Sequence, residues 1–190
     1  MEHPDTITSM ANLASTYTSM GKYTEVEKLE IQVLDVRKII IGVEHPDTIT
    51  SMANLACTYS NLGKYIEAEK LQIQVLDARE RILGVEHPDT ITSMANLAST
   101  YTWMGEYKQA EKLQIKVLDA RKRILGVEHP HTIQAMEDLA AILQSLRKDK
   151  ESFKLVIQAQ NVKRKAELLE QNATMHVHPW PMSKKLRRLQ

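Results

Sequence analysis

Apolar residues recur along the chain at intervals of three and four, with polar residues between them. From Pro4 onward, Ile7, Met10, Leu13, Ala14, Tyr17 and Met20 share one stripe of an α-helix. Pro4 suits the first helical position, where its missing N–H would have no partner. Gly21 supplies the left-handed backbone that stops the helix. A second stripe, Val26, Leu29, Val33, Val36 and Ile40, predicts a helix from about Thr24 to a stop at Gly42. Glu25 and Glu27 near its start, with Arg37 and Lys38 near its end, complement the helix dipole. Only a few residues join the two helices, so they must lie antiparallel.

The same hairpin is then written again. The phrase Glu-His-Pro-Asp-Thr-Ile-Thr-Ser-Met-Ala-Asn-Leu-Ala starts at Glu2, Glu44 and Glu86, and a degenerate copy starts at Glu128. Pro4, Pro46, Pro88 and Pro130 stand 42 residues apart, and the first three copies agree at about three positions in four. The second stripe returns as Ala68, Leu71, Val75, Ala78 and Ile82, and again as Ala110, Leu113, Val117, Ala120 and Ile124. Four units follow, at residues 2–43, 44–85, 86–127 and 128–171, with 172–190 as a flexible basic tail. One hairpin cannot bury both of its stripes, whereas a stacked row can. The predicted architecture is therefore all-α, a right-handed α-solenoid of antiparallel helix hairpins with a concave side. No strand-like alternation competes in the repeats.

The fourth unit departs from the others. Arg147 replaces the turn glycine and Asp149 the turn tyrosine, while Leu155, Ala159, Val162, Ala166 and Leu169 keep the second stripe. Its other faces are rich in Lys, Arg, Gln and Glu, as expected of a unit that caps a stack. At the other end, the outer side of the first hairpin is uncapped. That side is expected to be sticky, either pairing two chains or continuing into preceding sequence.

Composition refines this reading. Aromatic residues make up only 5% of the 190, so the core must be built from Leu, Ile, Val, Met and Ala. A net charge of +1 gives no whole-chain argument for nucleic acid or membrane, and no apolar run is long enough to span a bilayer. The single Cys57 cannot form an intramolecular disulfide, and the N-terminus lacks a signal pattern, so a cytoplasmic location is the default.

Candidate chemistry is sparse. His3, His45, His87 and His129 each precede a proline, with no Cys or second His at ligand spacing, which points to linker geometry and helix entry rather than a metal. Cys57 has no identifiable base, and the six glycines form no phosphate-binding loop. His176 and His178 are two ligands at most, Asn172-Ala173-Thr174 is a glycosylation acceptor without a secretion signal, and Lys184 to Arg188 is a short basic patch. No catalytic residue, metal site or cofactor is expected. An enzyme is the least expected class.

Several residues carry a family resemblance. Met10 near the usual tryptophan position, then Leu13, Ala14, Tyr17, Gly21, Tyr23 and Val26 (Ala68 and Ala110 in later units) resemble a tetratricopeptide repeat. The linker Gly-Val-Glu-His-Pro-Asp-Thr, at Gly42 to Thr48 and Gly84 to Thr90, resembles the 42-residue variety of kinesin light chains. The resemblance covers about residues 2–170 and implies that the first helix of each unit lines a concave groove. The implied groove set is Thr8, Ala11, Asn12, Ser15, Thr18 and Ser19 in the first unit. It is Thr50, Ala53, Asn54, Cys57, Ser60 and Asn61 in the second, and Thr92, Ala95, Asn96, Ser99, Thr102 and Trp103 in the third.

Asn12, Asn54 and Asn96 take the position that in peptide-binding relatives clamps a ligand backbone. One amide offers both donor and acceptor to a peptide bond. Asp138 breaks this ladder in the fourth unit. Relatives that catch acidic peptides place Lys or Arg in the groove, where this chain has Thr, Ser and Asn. Trp103 stands where the earlier units have Ser19 and Asn61, and is a candidate hot spot.

The implied function is a protein–protein interaction scaffold that takes a protein or peptide partner, with no small-molecule substrate or membrane, and nucleic acid is not the expected partner. Two alternatives stay open. One is a sensor or oligomerisation segment of a larger nucleotide-binding signalling protein, since near-identical copies of this type also resemble such arrays. The other is a kinesin-light-chain-type cargo adaptor, although no heptad segment for docking a motor is present.

Overall fold

A computed structural model describes the backbone of residues 4–175 and side chains of residues 6–169. Among the described residues there are eight helices and no strand: α1 (Pro4–Ser19), α2 (Tyr23–Ile40), α3 (Pro46–Asn61), α4 (Tyr65–Leu83), α5 (Pro88–Trp103), α6 (Tyr107–Leu125), α7 (Pro130–Ser145) and α8 (Asp149–Met175). Each packs against the next in the chain, and α3 also touches α5, so the hairpins stack in sequence order as a solenoid. α8 runs to Met175, past the expected start of the tail at residue 172. Residues 176–190, with the basic patch, lie outside the described part.

Local chemistry fixes both ends of the first helices. His45, His87 and His129 are N-caps with extended backbone, and each Nδ1 accepts the backbone N–H two residues on, at 3.1, 3.2 and 3.1 Å. The histidine thus fills the place usually taken by Ser or Asp, and the following proline leaves one fewer donor to satisfy. At the other end Gly21, Gly63 and Gly105 adopt φ of 70°, 73° and 81°. The backbone N–H one residue on then donates back to Tyr17, Tyr59 and Tyr101 carbonyls. Arg147 makes the same turn with φ 58° and no glycine, and Lys148 N–H donates to the Leu143 carbonyl at 2.9 Å. The fourth hairpin keeps its shape at the cost of a strained residue, on the order of 1 kcal/mol.

An interior helix of a stack has neighbours on two sides, so it buries more than the single stripe its spacing predicts. Val26, Ala68 and Ala110 are wholly buried where the helices of a hairpin cross, and Val33, Val75 and Val117 continue that seam. Leu34 and Leu118, off the predicted stripe, are buried as well. Conversely, Ile40, Ile82 and Ile124 are exposed in the last turns of their helices, beyond the reach of the neighbouring hairpin. Leu13 and Met20 are also exposed, although Leu55 and Leu97, at the position of Leu13, are buried. Among the described residues, no hairpin covers the outer side of α1. Ala166 and Leu169 on α8 are exposed for the same reason at the far end.

Polar clamps hold successive units together. Arg37 donates to the Asp47 carbonyl (3.0 Å) and Ser51 Oγ (2.7 Å), and Arg79 to the Asp89 carbonyl (3.1 Å) and Ser93 Oγ (2.9 Å). At the third junction Ala135 replaces the serine, and Arg121 keeps only the His131 carbonyl at 2.9 Å. Lys64 reaches back to Glu27 and Lys148 to Glu111, with Nζ–O distances of 2.6 and 2.7 Å. At the matching middle position Glu106 stands instead of lysine, so Glu69 has no cation there. Both carboxylates push the Tyr101 phenol upward from its ordinary pKa, behind burial as the first cause.

Candidate groove between the first helices

One face of α1, α3, α5 and α7 carries three depressions, one at each junction between units. The first, of about 70 Å³, lies between α1, α2 and α3 and includes Ser15, Glu30, Arg37 and Asn54. The second is the largest, about 420 Å³. Its walls are Cys57, Ser60 and Asn61 from α3 and Asn96, Ser99, Thr100 and Trp103 from α5, with Tyr65 and Gln72 from α4 beneath. The third, about 220 Å³, includes Ser99, Trp103, Gln114 and Asp138. Trp103 is the partition between the second and third. Its ring lies parallel to that of Tyr65, with centroids 6.3 Å apart, and it remains 69% exposed.

The structure brings most of the expected site residues together. Asn54 lines the first depression, and Asn96, Ser60, Asn61, Ser99 and Trp103 line the second. Asn61 Nδ2 donates to its own helix at the Cys57 carbonyl (3.0 Å), and Asn96 Nδ2 faces Cys57 Sγ at 3.8 Å. Others of the expected residues sit elsewhere, and Thr8, Thr18, Ser19 and Ala53 line none of the three depressions. Asn12 is exposed on α1 but lines none of the three depressions. Thr50 and Thr92 each donate to the proline carbonyl of their own first turn at 2.9 Å. Thr50 lines a separate depression of about 130 Å³ with Arg79, Ile82 and Leu83, and Thr92 belongs to none of these four.

Sequence reasoning missed the floor of the groove. Glu30, Gln72 and Gln114 occupy one repeat position, three residues before Val33, Val75 and Val117, and so share the buried face of the second helix. Thr58 Oγ1 donates to Glu30 Oε2 at 2.6 Å, while Gln114 Nε2 donates to the Ala135 carbonyl (3.2 Å) and Asp138 Oδ2 (3.4 Å). A polar residue recurring at that phase was the available signal.

Burial also sets the electrostatics. It raises the Glu30 carboxyl above its ordinary pKa, against the opposing bond from Thr58. Burial likewise raises Asp138, against the bond from Gln134 and the nearby Arg121 charge. The Cys57 thiol is pushed up by burial and by Glu30, with Arg79 opposing, which disfavours the thiolate a nucleophile requires. Among the described residues no group of three or more His, Cys, Asp and Glu side chains could hold a metal ion. No described helix is long and apolar enough to cross a membrane. What the middle depression offers is neutral hydrogen-bonding capacity beside an aromatic wall.

Comparison with known proteins agrees with this geometry. The sequence profile of the tetratricopeptide repeat matches residues 6–47, 48–89 and 90–131. No curated protein matches the chain. Among solved structures, it is similar to a kinesin light chain candidate from Podosopora anserina with nearly identical TPR-like repeats. The TM-score is 0.75, with 29% identity over 86% of this chain and 78% of that one. A single-residue variant of the same protein gives a TM-score of 0.77 and 28% identity, covering 87% and 78% of the two chains. BtubC (BKLC) from P. vanneervenii, at 19% identity, shares the fold with a TM-score of 0.77 over 95% of this chain and 69% of that one.

Proposed function

This chain belongs to the tetratricopeptide-repeat family, and from that premise we propose that it is a protein-interaction scaffold whose groove holds an extended segment of a partner protein. The observation that supports this reading most is the alignment of Asn54 and Asn96 in successive depressions, with Trp103 exposed between the second and third. Side-chain amides in a row can meet the donors and acceptors of an extended backbone whatever its sequence. A large, rigid aromatic ring on the same wall supplies contact area at little entropic loss. The reading is one of binding rather than catalysis, because the groove sets no nucleophile beside a base.

The test is selection from a displayed library of random peptides. The wild-type chain should enrich a peptide set that an Asn54→Ala/Asn96→Ala/Trp103→Ala variant, folded by circular dichroism, no longer retains. Equal enrichment by the two proteins would remove the groove from the account.

A further inference from the structure

The three junctions carry nearly the same sequence, yet they treat their buried polar position differently. At the first, Glu30 accepts from Thr58. At the third, Gln114 donates to the Ala135 carbonyl and Asp138. At the middle junction Gln72 is 95% buried by accessible surface and its Oε1 has no hydrogen-bond partner. The Thr100 hydroxyl, which could have met it as Thr58 meets Glu30, lies 3.4 Å from Ser60 Oγ instead. This unmet amide stands in the wall of the largest cavity, six times the volume of the first and about twice that of the third. A buried acceptor without a partner is costly, and Gln72 lines this cavity although its Oε1 is itself covered, so a turn of the amide would bring it to a guest that completes the bond.

We propose, resting on the groove reading above, that this cavity receives a side-chain carboxamide of the bound segment, a glutamine or asparagine, hydrogen-bonded to Gln72 with its flat face toward Trp103. The chemistry of the lining selects that class. No ionised side chain lines the cavity, so a charged guest would lose its water without gaining a counter-charge. An apolar guest would fill the space and leave Gln72 unmet. A carboxamide is planar, neutral, and both donor and acceptor. It therefore satisfies the Gln72 amide whichever way that group is turned, and it matches Asn96, Ser99 and Thr100 on the opposite side. The identically placed Glu30 and Gln114 already have partners, so only the middle junction is selective.

The test uses the full chain with Trp180→Phe, which leaves Trp103 as its one tryptophan. Blocked five-residue alanine peptides with Gln, Glu, Arg or Ala at the centre are titrated while acrylamide quenching of Trp103 is followed. The Gln peptide should shield Trp103 saturably and bind about five- to ten-fold tighter than the other three, the scale of one net hydrogen bond. Gln72→Leu, with its fold checked by circular dichroism, should erase that preference. Gln72→Glu should transfer it to the Arg peptide. Equal binding of all four peptides, lost on Asn54→Ala/Asn96→Ala, would overturn the pocket and leave the groove standing. A preference that survives Gln72→Leu would place the selectivity on other residues, and no binding by any of the four would leave the cavity without a peptide guest; either result would overturn the proposal too.

Discussion

The arginine clamps offer a test of how the stack is held, because the chain contains its own control. Arg79 binds both the Asp89 carbonyl and Ser93 Oγ, whereas Arg121, at the same repeat position, binds one carbonyl because position 135 is alanine. Net hydrogen bonds involving a charged group contribute about 1.5–3 kcal/mol each, and partial exposure of these guanidiniums places them at or below the low end. At about 1 kcal/mol per bond, Arg79→Met should cost about 2 kcal/mol and Arg121→Met about 1 kcal/mol. Burial also holds the Arg121 guanidinium below its usual pKa, with the charge of Asp138 opposing, which lowers its net contribution further. Methionine keeps the apolar stem that arginine packs along the helix, so the difference reports the polar head.

The assay is urea unfolding followed by far-UV circular dichroism and by Trp103 fluorescence in the Trp180→Phe background. A double-mutant cycle of Arg79→Met with Ser93→Ala isolates one of the two bonds and should give a coupling of about 1 kcal/mol. Ser93 on its own stays satisfied, since its hydroxyl also donates to the Asp89 carbonyl at 3.0 Å. Equal losses from Arg79→Met and Arg121→Met, or a coupling near zero, would refute the claim that these bonds hold the units together.

Two further outcomes follow from the departures between repeats. Glu106→Lys should restore at the middle junction the contact that Lys64 and Lys148 make at the others, raising Tm by about 2 °C, the scale of one surface pair. A gain that persists in 1 M salt (Debye length about 3 Å) or with Glu69→Gln would show another cause. The raised pKa values of Glu30 and Asp138 set a sign for acid behaviour. The folded chain holds these protons more tightly, so the burial cost is present above the folded values and is relieved as pH falls from there toward the unfolded values of about 4. Chemical denaturation from pH 7 down to about 4 should therefore show a slope for wild type that Glu30→Gln/Asp138→Asn flattens. Parallel curves would refute it.

Much of this architecture was legible because a period of 42 residues repeats every local signal. Proline at N1 and glycine after the last turn mark helix ends by backbone chemistry that needs no tertiary context. His45 could be placed at a helix entry from its neighbour Pro46, but its role as the acceptor of the Asp47 N–H depends on ring orientation, which spacing does not encode. Burial was less legible. Leu13 and Leu55 occupy the same phase and differ only in whether a hairpin lies outside them, so periodicity alone gave them one fate. Gln72 was overlooked for a related reason. A single polar residue beside an apolar stripe looks like the edge of a solvated face until the neighbouring hairpin is laid over it. The resemblance assigns the groove face to the first helices, whereas the division into three unequal depressions comes from junction geometry.

When repeats are near copies, the positions that were not copied carry the individuality of the chain. Several fall at one junction, between the second and third units. In the groove are Cys57 and Trp103, which help to build the large cavity. In the turn after α5 is Glu106, which removes the lysine contact found at the other two junctions. The middle junction therefore combines the largest of the three depressions with the loss of an ion pair, and the Arg79 clamp carries a larger share of what joins its halves. A guest seated in the cavity would bridge α3 and α5 and add contacts at the junction that lacks the lysine pair. Binding and junction stability would then rise together, because anything that binds only the stacked form draws the equilibrium toward it.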